Sequence, residues 1–381
     1  MSETIKITAL RLMQPIGELF IGRIQAKNLI ELAEADIRRI TEREMEVMSG
    51  IQRNLSQARV PKIRKYIETV DASFPNAIIL NLDSSFLSSK PSETKSGCRD
   101  DDSIFCFEVS IDKNAFKIID GQHRLSGFEG ADVGDFDLLV AFFIDLPLED
   151  QAYLFSTINV NQTKVNKSLV YDLFDVSETR SPQKTAHLIT KALNSDEDSP
   201  LYRRIKLLGI APKFGDEVLY NAPLSQGAVA SRIVDSISAD PMEDRDTIKR
   251  GKEISLSSSD TSKGLIFRSF FAEDKDWAIL RIIKNYFKAV AEAFPDLWEK
   301  QDNPLSKTIG YGALMRLLVD AYAVGSKNND LSFEFFSQLM AKMKENSEKD
   351  AETPLTFDSF AAAGSGESKL YGKLKEWAEL A

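Results

Sequence analysis

The hydrophobic pattern of this 381-residue chain changes period near residue 168, and that change constrains its fold more than any other feature. Before it, short apolar runs alternate with short helical patterns. Ile5, Ile7 and Ala9 alternate with polar residues, and Gly17 marks a turn before Leu19, Phe20 and Ile21. The apolar run within Asn76 to Leu82 reads as a buried strand, and so do Phe105 to Ile111, Phe116 to Ile119 and Leu138 to Leu146. Helical spacing predicts Leu29 to Met48, Lys62 to Val70 with Pro61 in the first turn, Leu125 to Gly130, and Leu148 to Asn159. Ser84 to Asp102 is rich in Ser, Lys and Asp and is expected to be a surface loop. Strands and helices in this mixture predict an α/β or α+β domain over residues 1–167.

After residue 168 long helical patterns dominate. They cover Lys184 to Asn194, Pro200 to Leu208, Ser225 to Ser236, Trp277 to Phe294, Ile309 to Ala323 and Phe333 to Asn346. A helical domain over 168–381 follows, and the chain as a whole is expected to be α+β. The polar, serine-rich stretch near 240–262 reads as a long loop or mobile insertion. Gly364 to Ser368 reads as a joint before a last short helix. Trp277, Phe287, Phe294 and Trp298 fall at helical spacings and are expected in the core of this half.

Composition removes several classes of function. No apolar run approaches the roughly 20 residues that span a bilayer, and Met1 to Leu10 lacks a signal-peptide pattern, so cytoplasm and no membrane partner are expected. The two cysteines, Cys98 and Cys106, and the two histidines, His123 and His187, do not fall at a recognisable zinc-site spacing, so zinc is not expected. The net charge of −10 argues against whole-surface attraction to nucleic acid, which depends on Lys and Arg neutralising phosphates. A local basic stripe remains sufficient on an acidic chain.

One segment concentrates chemistry. An apolar run ends in Asp120, and Gly121-Gln122-His123-Arg124 leads into a helical pattern. Gly121 permits a tight turn or a close backbone approach. Gln122, His123 and Arg124 then stand at a helix N-terminus, where free N–H groups favour anions. Arg124 is suited to a bidentate phosphate contact and His123 to proton transfer. Asp120 is suited to holding a metal, orienting His123 or capping the helix. The segment reads as a phosphate or nucleotide pocket, or equally as an ordinary Asp-Gly turn at a strand-to-helix junction.

The stretch Asp120 to Arg124, DGQHR, resembles the namesake motif of the DGQHR-domain family, which includes DndB-type proteins of DNA phosphorothioation systems. Two flanks are similar to that family as well. They are Gln52-Arg53 with Arg59-Val60-Pro61-Lys62-Ile63 upstream, and Phe155 to Gln162 downstream. The resemblance spans residues 10 to 175 well and the helical half only in outline. It implies a ParB/sulfiredoxin-like mixed-sheet domain followed by helices. It also implies a nucleotide-dependent DNA-binding protein of a modification or restriction system, with ATP or another NTP and Mg²⁺ as cofactors. The activity so implied is ATP hydrolysis with DNA nicking. The alternatives are a non-catalytic transcriptional regulator, or a scaffold for modification enzymes. In the catalytic version Asp120, His123 and Arg124 act on phosphate, while Gly121, Gln122, Arg124, Asn159, Asn161 and Gln162 bind nucleotide. Sulfiredoxins carry a cysteine before His-Arg. Gln122 stands there in this chain, so sulfinic-acid repair has no nucleophile.

Arg53, Arg59, Lys62 and Lys65, with Arg64, form a basic cluster that reads as a nucleic-acid contact or as a solvated helix face. Asn159, Asn161 and Gln162 suit base or ribose contacts, or helix capping. His187, in a helical pattern, is expected to be a packed surface histidine. Lys307 to Gly312 lacks Walker A spacing and reads as a packing turn, and Asp100 to Asp102 as an unstructured acidic run.

Overall fold

Alternation along the first strands decides which way the sheet faces. The structure, a computed structural model, describes residues 3–36, 39–42, 47–49, 59–95, 103–131, 134–160, 167–209, 213–214, 217–218, 222–300, 303–362 and 365–380. These residues divide into two compact units, Met1–Asn161 and Gln162–Ala381. In β1 (Thr4–Gln14) Ile7 and Ala9 are buried, while Lys6, Thr8 and Leu10 on either side of them are exposed. Gln14 pairs with Gly17, so Pro15 and Ile16 form a two-residue hairpin loop into β2 (Gly17–Gln25). Helix α1 (Ala26–Leu32) follows, then the short β3 (Ala33–Glu34), β4 (Arg39–Glu42), β5 (Val47–Ser49), α2 (Val60–Ile67) and β6 (Ile78–Leu82). The unit continues with β7 (Ser92–Lys95), β8 (Ser103–Ser110), β9 (Phe116–Asp120), α3 (Gln122–Phe128), β10 (Asp137–Ile144) and α4 (Leu148–Val160).

Eight strands form one mixed sheet in the order β3-β9-β6-β10-β2-β1-β8-β7. β10 runs parallel to β6, and β3 parallel to β9, while the other neighbours are antiparallel. One hydrophobic cluster joins Ile7, Phe20, Ile24, Leu80, Phe107, Val140 and Phe142 from strands with Leu29 and Leu32 of α1, Ile67 of α2, and Leu125 and Phe128 of α3. The Phe20, Phe107 and Phe142 rings meet at 5.0–5.5 Å between centroids. Full burial of such a side chain stabilises by roughly 1.5–3 kcal/mol. The expected mixed-sheet, α+β architecture is therefore what the chain forms.

Two local expectations in this unit are corrected. The helix predicted over Leu29 to Met48 ends at Leu32. Ala33 and Glu34 then pair with Phe116 and Lys117 on the sheet edge, and β4 and β5 pair antiparallel with Ile40 in register with Met48. The apolar spacing suited a helix, but sheet pairing of Ala33 fixes an extended backbone there. The expected loop over Ser84 to Asp102 contains a 3₁₀ turn at Ser84–Phe86, capped by the Asp83 carboxylate, and the edge strand β7. Its Ser-Glu-Thr-Lys sequence is wholly polar, as an edge can be, so hydrophobic alternation did not reveal it.

The second unit is mainly helical. It contains α5 (Lys167–Asp172), α6 (Pro182–Ser195), two-residue strands β11 (Ile205–Lys206), β12 (Lys213–Phe214), β13 (Glu217–Val218) and β14 (Leu224–Ser225), then α7 (Gln226–Ile237) and α8 (Pro241–Lys249). The rest is α9 (Arg268–Ala272), α10 (Asp276–Ala293), α11 (Pro295–Glu299), α12 (Thr308–Gly325), α13 (Phe333–Lys349) and α14 (Gly366–Trp377). Among the described residues no helix is long and apolar enough to cross a membrane.

Four expectations are corrected here. Pro200 to Leu208 is not a helix. The Asn194 side chain accepts the Ile205 N–H, β11 pairs with β14, and Leu208 takes φ +61°. The stretch near 240–262 holds α8, because Asp240 accepts the Met242 and Glu243 N–H groups and Pro241 opens the helix. Arg268 clamps its Asp244 through two bonds of 2.7 and 3.0 Å. His187 is wholly buried rather than on the surface, between Gln226 at 2.9 Å and Asp175 at 3.3 Å. Phe287, Phe294 and Trp298 are core residues as expected, but Trp277 is 59% exposed.

Candidate functional site

β9 delivers Asp120 to the end of an antiparallel pair in which Ile79 faces it. The chain must then turn at once into α3, and Gly121 does so with φ +104°. A side chain at Gly121 would meet Ile78 at 3.1 Å and the Arg124 guanidinium at 3.2 Å, in a backbone region that L-residues rarely adopt. The Leu125 N–H donates to the Gly121 carbonyl, which starts the helix. The N-cap position is Gly121 itself, which has no side chain to cap α3.

Asp120 instead accepts from Arg124 at 3.0 Å, one helical turn on. The second arm of the Arg124 guanidinium donates to the Asn76 carbonyl at 2.6 Å. Both arms of the fork are thus engaged by the protein itself, with Arg124 and Asp120 side chains 20% and 26% exposed. Gln122 and His123 are buried, as are Leu125, Ser126, Gly127 and Phe128. The five motif residues therefore form one junction whose polar groups point largely into the protein. Among the described residues no group of three His, Cys, Asp or Glu side chains is placed to hold a metal ion.

From this junction α3 reaches α2. A Cβ on Gly127 would lie 2.5 Å from Ile63 and 3.0 Å from Ile67, so the two helices touch where only glycine fits. That contact buries Ile67 and leaves Arg59, Lys62 and Lys65 exposed. Arg64 turns back and donates to the Glu129 carbonyl at 2.5 Å. Among the described residues no carboxylate pairs with Arg59, Lys62 or Lys65.

The structure brings Asp120, Gly121, Gln122, His123 and Arg124 together, and joins Arg59, Lys62 and Lys65 to them through the α2–α3 contact. Arg53, Asn161 and Gln162 lie outside the described residues, as does the side chain of Asn159 at the end of α4. Two participants were not foreseen from the sequence, the Asn76 carbonyl that holds Arg124 and the Glu129 carbonyl that holds Arg64. Both are backbone acceptors, and no side-chain pattern announces them.

Residues 7–193 match a family model described as DndB, DNA-sulfur modification-associated. The match includes the DGQHR junction and α2, and continues into α5 and α6. No curated protein and no solved structure matches the chain.

Proposed function

Because residues 7–193 are a DndB, DNA-sulfur modification-associated domain, we propose that this chain is a DNA-contacting component of a DNA-sulfur modification system, and that it grips the duplex backbone through α2. The observation that carries this reading is the exposed set Arg59, Lys62 and Lys65, without a carboxylate partner among the described residues, on a chain of net charge −10. Cations without carboxylate partners are free to replace the counterions that condense on DNA. In this reading the DGQHR junction works as a lock. Gly121 and the Asp120–Arg124 pair fix α3, and α3 fixes the direction of α2 through Gly127.

Duplex affinity measured across a salt series tests the proposal. Lys62→Glu with Lys65→Glu is expected to weaken binding at every sequence and to flatten the salt slope by about one unit per lost phosphate contact. An unaltered slope and affinity in that double variant would remove α2 from the interface.

A second reading places a nucleotide with Mg²⁺ at the turn, and one observation favours it. Asp120 and Arg124 keep an edge open to solvent beside His123 and the left-handed Gly121. There the Gly121 and Gln122 backbone and Arg124 would hold phosphate, and His123 would carry a proton. Phosphate would have to compete with Asp120 and the Asn76 carbonyl for Arg124. Hydrolysis that disappears in His123→Ala with the fold intact supports this reading, and a wild-type protein without turnover removes it.

A further inference from the structure

We propose that the groove beside Trp277 in the helical unit is a binding site for single-stranded DNA, with Trp277 as the platform for an unpaired base. The proposal rests on the DNA reading above and adds a second, separate contact of a different kind.

The position of Trp277 is the first observation. It stands at the start of the eighteen-residue helix α10, 59% exposed, while Trp298 and Trp377 are buried. A rigid helix that leaves an indole in water forgoes the burial that usually holds tryptophan in place. The Arg281 guanidinium lies over that ring, 5.1 Å from its centroid. Trp277, Arg281, Lys284 and Lys288 follow one another at spacings of four, three and four, so they run down one face of α10. Lys284 is paired with Asp196, and Lys288 sits over the Phe333 ring. Arg281 has no carboxylate partner among the described residues.

Beside this stripe lies a groove of about 790 Å³, walled by α10 on one side and by the chain from Ser326 to Glu334 on the other. That volume falls within the roughly 300–1,000 Å³ range of clefts for small ligands. Its floor is apolar at Ile282 and Tyr322, and its walls offer Asn285, Asn329 and Ser332. Asp330 on the far wall is already an acceptor for the Ser332 N–H, and Lys275 at the mouth is held by Glu273. Glu334 is an exposed carboxylate on the far rim, so the attraction for phosphate is concentrated at Arg281.

An aromatic face with the Arg281 cation stacked on it, at the side of a groove, matches the chemistry of an unpaired strand. A base stacks on the ring, and phosphates follow the charges. A duplex keeps its bases stacked inside and offers the indole nothing. An acidic peptide would use the cations but not the ring.

Indole fluorescence of the full chain, titrated with a short oligo(dT), with a duplex and with oligoglutamate, reads the site directly, because Trp277 is the exposed tryptophan. Oligo(dT) is expected to quench the emission. In the Trp277 variants, where the reporting indole is gone, anisotropy of a dye-labelled oligo(dT) gives the affinity, and Trp277→Ala is expected to lose roughly tenfold, the size of one stacked base, with an unchanged melting temperature. Trp277→Phe should retain most of the affinity, and Arg281→Gln should lose part of it. Equal oligo(dT) affinity in Trp277→Ala overturns the proposal, and so does quenching by oligoglutamate as strong as that by oligo(dT). Duplex binding that depends on Lys62 and Lys65, with no response of the indole to oligo(dT), overturns the groove and leaves the α2 reading standing. Absence of binding to either form of DNA overturns both.

Discussion

The DGQHR turn and the α2 face are neighbours in the packing, yet they handle polar groups in opposite ways. At the turn, Arg124 donates to Asp120 and to the Asn76 carbonyl, and Gln122 and His123 are buried. On α2, Arg59, Lys62 and Lys65 stand in solvent, with no carboxylate partner among the described residues. The helical unit repeats the contrast. There Asp350 ties α14 down through Lys373 and Trp377, while Trp277 and Arg281 remain outside. A group already bonded within the protein fixes geometry, and a ligand must displace a partner to use it. A solvated group is open to a ligand but fixes nothing. The more recognisable segment of sequence can therefore be the scaffold, with its plainer neighbour making the contact.

The sharpest way to break this comparison is at the joint between its two sides. Gly127→Val would place a branched side chain against Ile63 and Ile67, where a single Cβ already comes within 2.5 Å. Overpacking of this kind costs about 3 kcal/mol. Thermal melting should fall by many degrees, and duplex binding should fall with it although no cation has changed. A variant that melts normally would show that α3 does not set α2.

Arg124→Ala comes next. It leaves the Asp120 carboxylate and the Asn76 carbonyl without their donor, and an unsatisfied, part-buried group costs roughly 1–3 kcal/mol. If the turn is scaffold, stability falls and the salt slope of DNA binding does not change. If the turn is a phosphate site, melting changes little while nucleotide affinity collapses. Denaturant unfolding beside nucleotide titration separates the two.

Much of this contrast was legible in the sequence, for identifiable reasons. Alternation in β1 and the apolar runs of β6 and β10 announced the sheet because one or both faces of those strands are buried. Asp120 to Arg124 announced a strand-to-helix turn because only glycine serves at φ +104°. Burial of the motif was not legible, because Arg124 spends one arm on a main-chain carbonyl that any residue at position 76 would supply. Neither was the exposure of Trp277, because helical spacing gives the angle of a residue around the axis but not what packs there. The β4–β5 pair escaped for a third reason. Its apolar residues fit a period of 3.6 as well as a period of 2, and the pairing of the two strands with each other decided between them.

The smallest effect expected concerns pH and the inward side of the helical unit. Asp350 accepts from Lys373 and from the Trp377 indole N–H, each at 3.1 Å. The hydrogen bond from Lys373, aided by those from Trp377 and Thr353, holds its carboxyl below the ordinary 3.8. A carboxylate depressed in the folded state adds stability above its unfolded value and loses it as pH falls through the folded one. The contribution is therefore intact at neutral pH and disappears only in acid, below about pH 4. Asp350→Asn should melt slightly lower than wild type at neutral pH, and the two curves should converge below that point. Asp196 and Glu345 are depressed in the same way by Lys284 and Lys349, so the difference between the two proteins is the quantity to follow. Curves that coincide at every pH would mean that the anchor of α14 rests on the packing of Leu370, Leu374 and Trp377 alone. The inward polar groups of the helical unit would then differ in kind from those of the DGQHR turn.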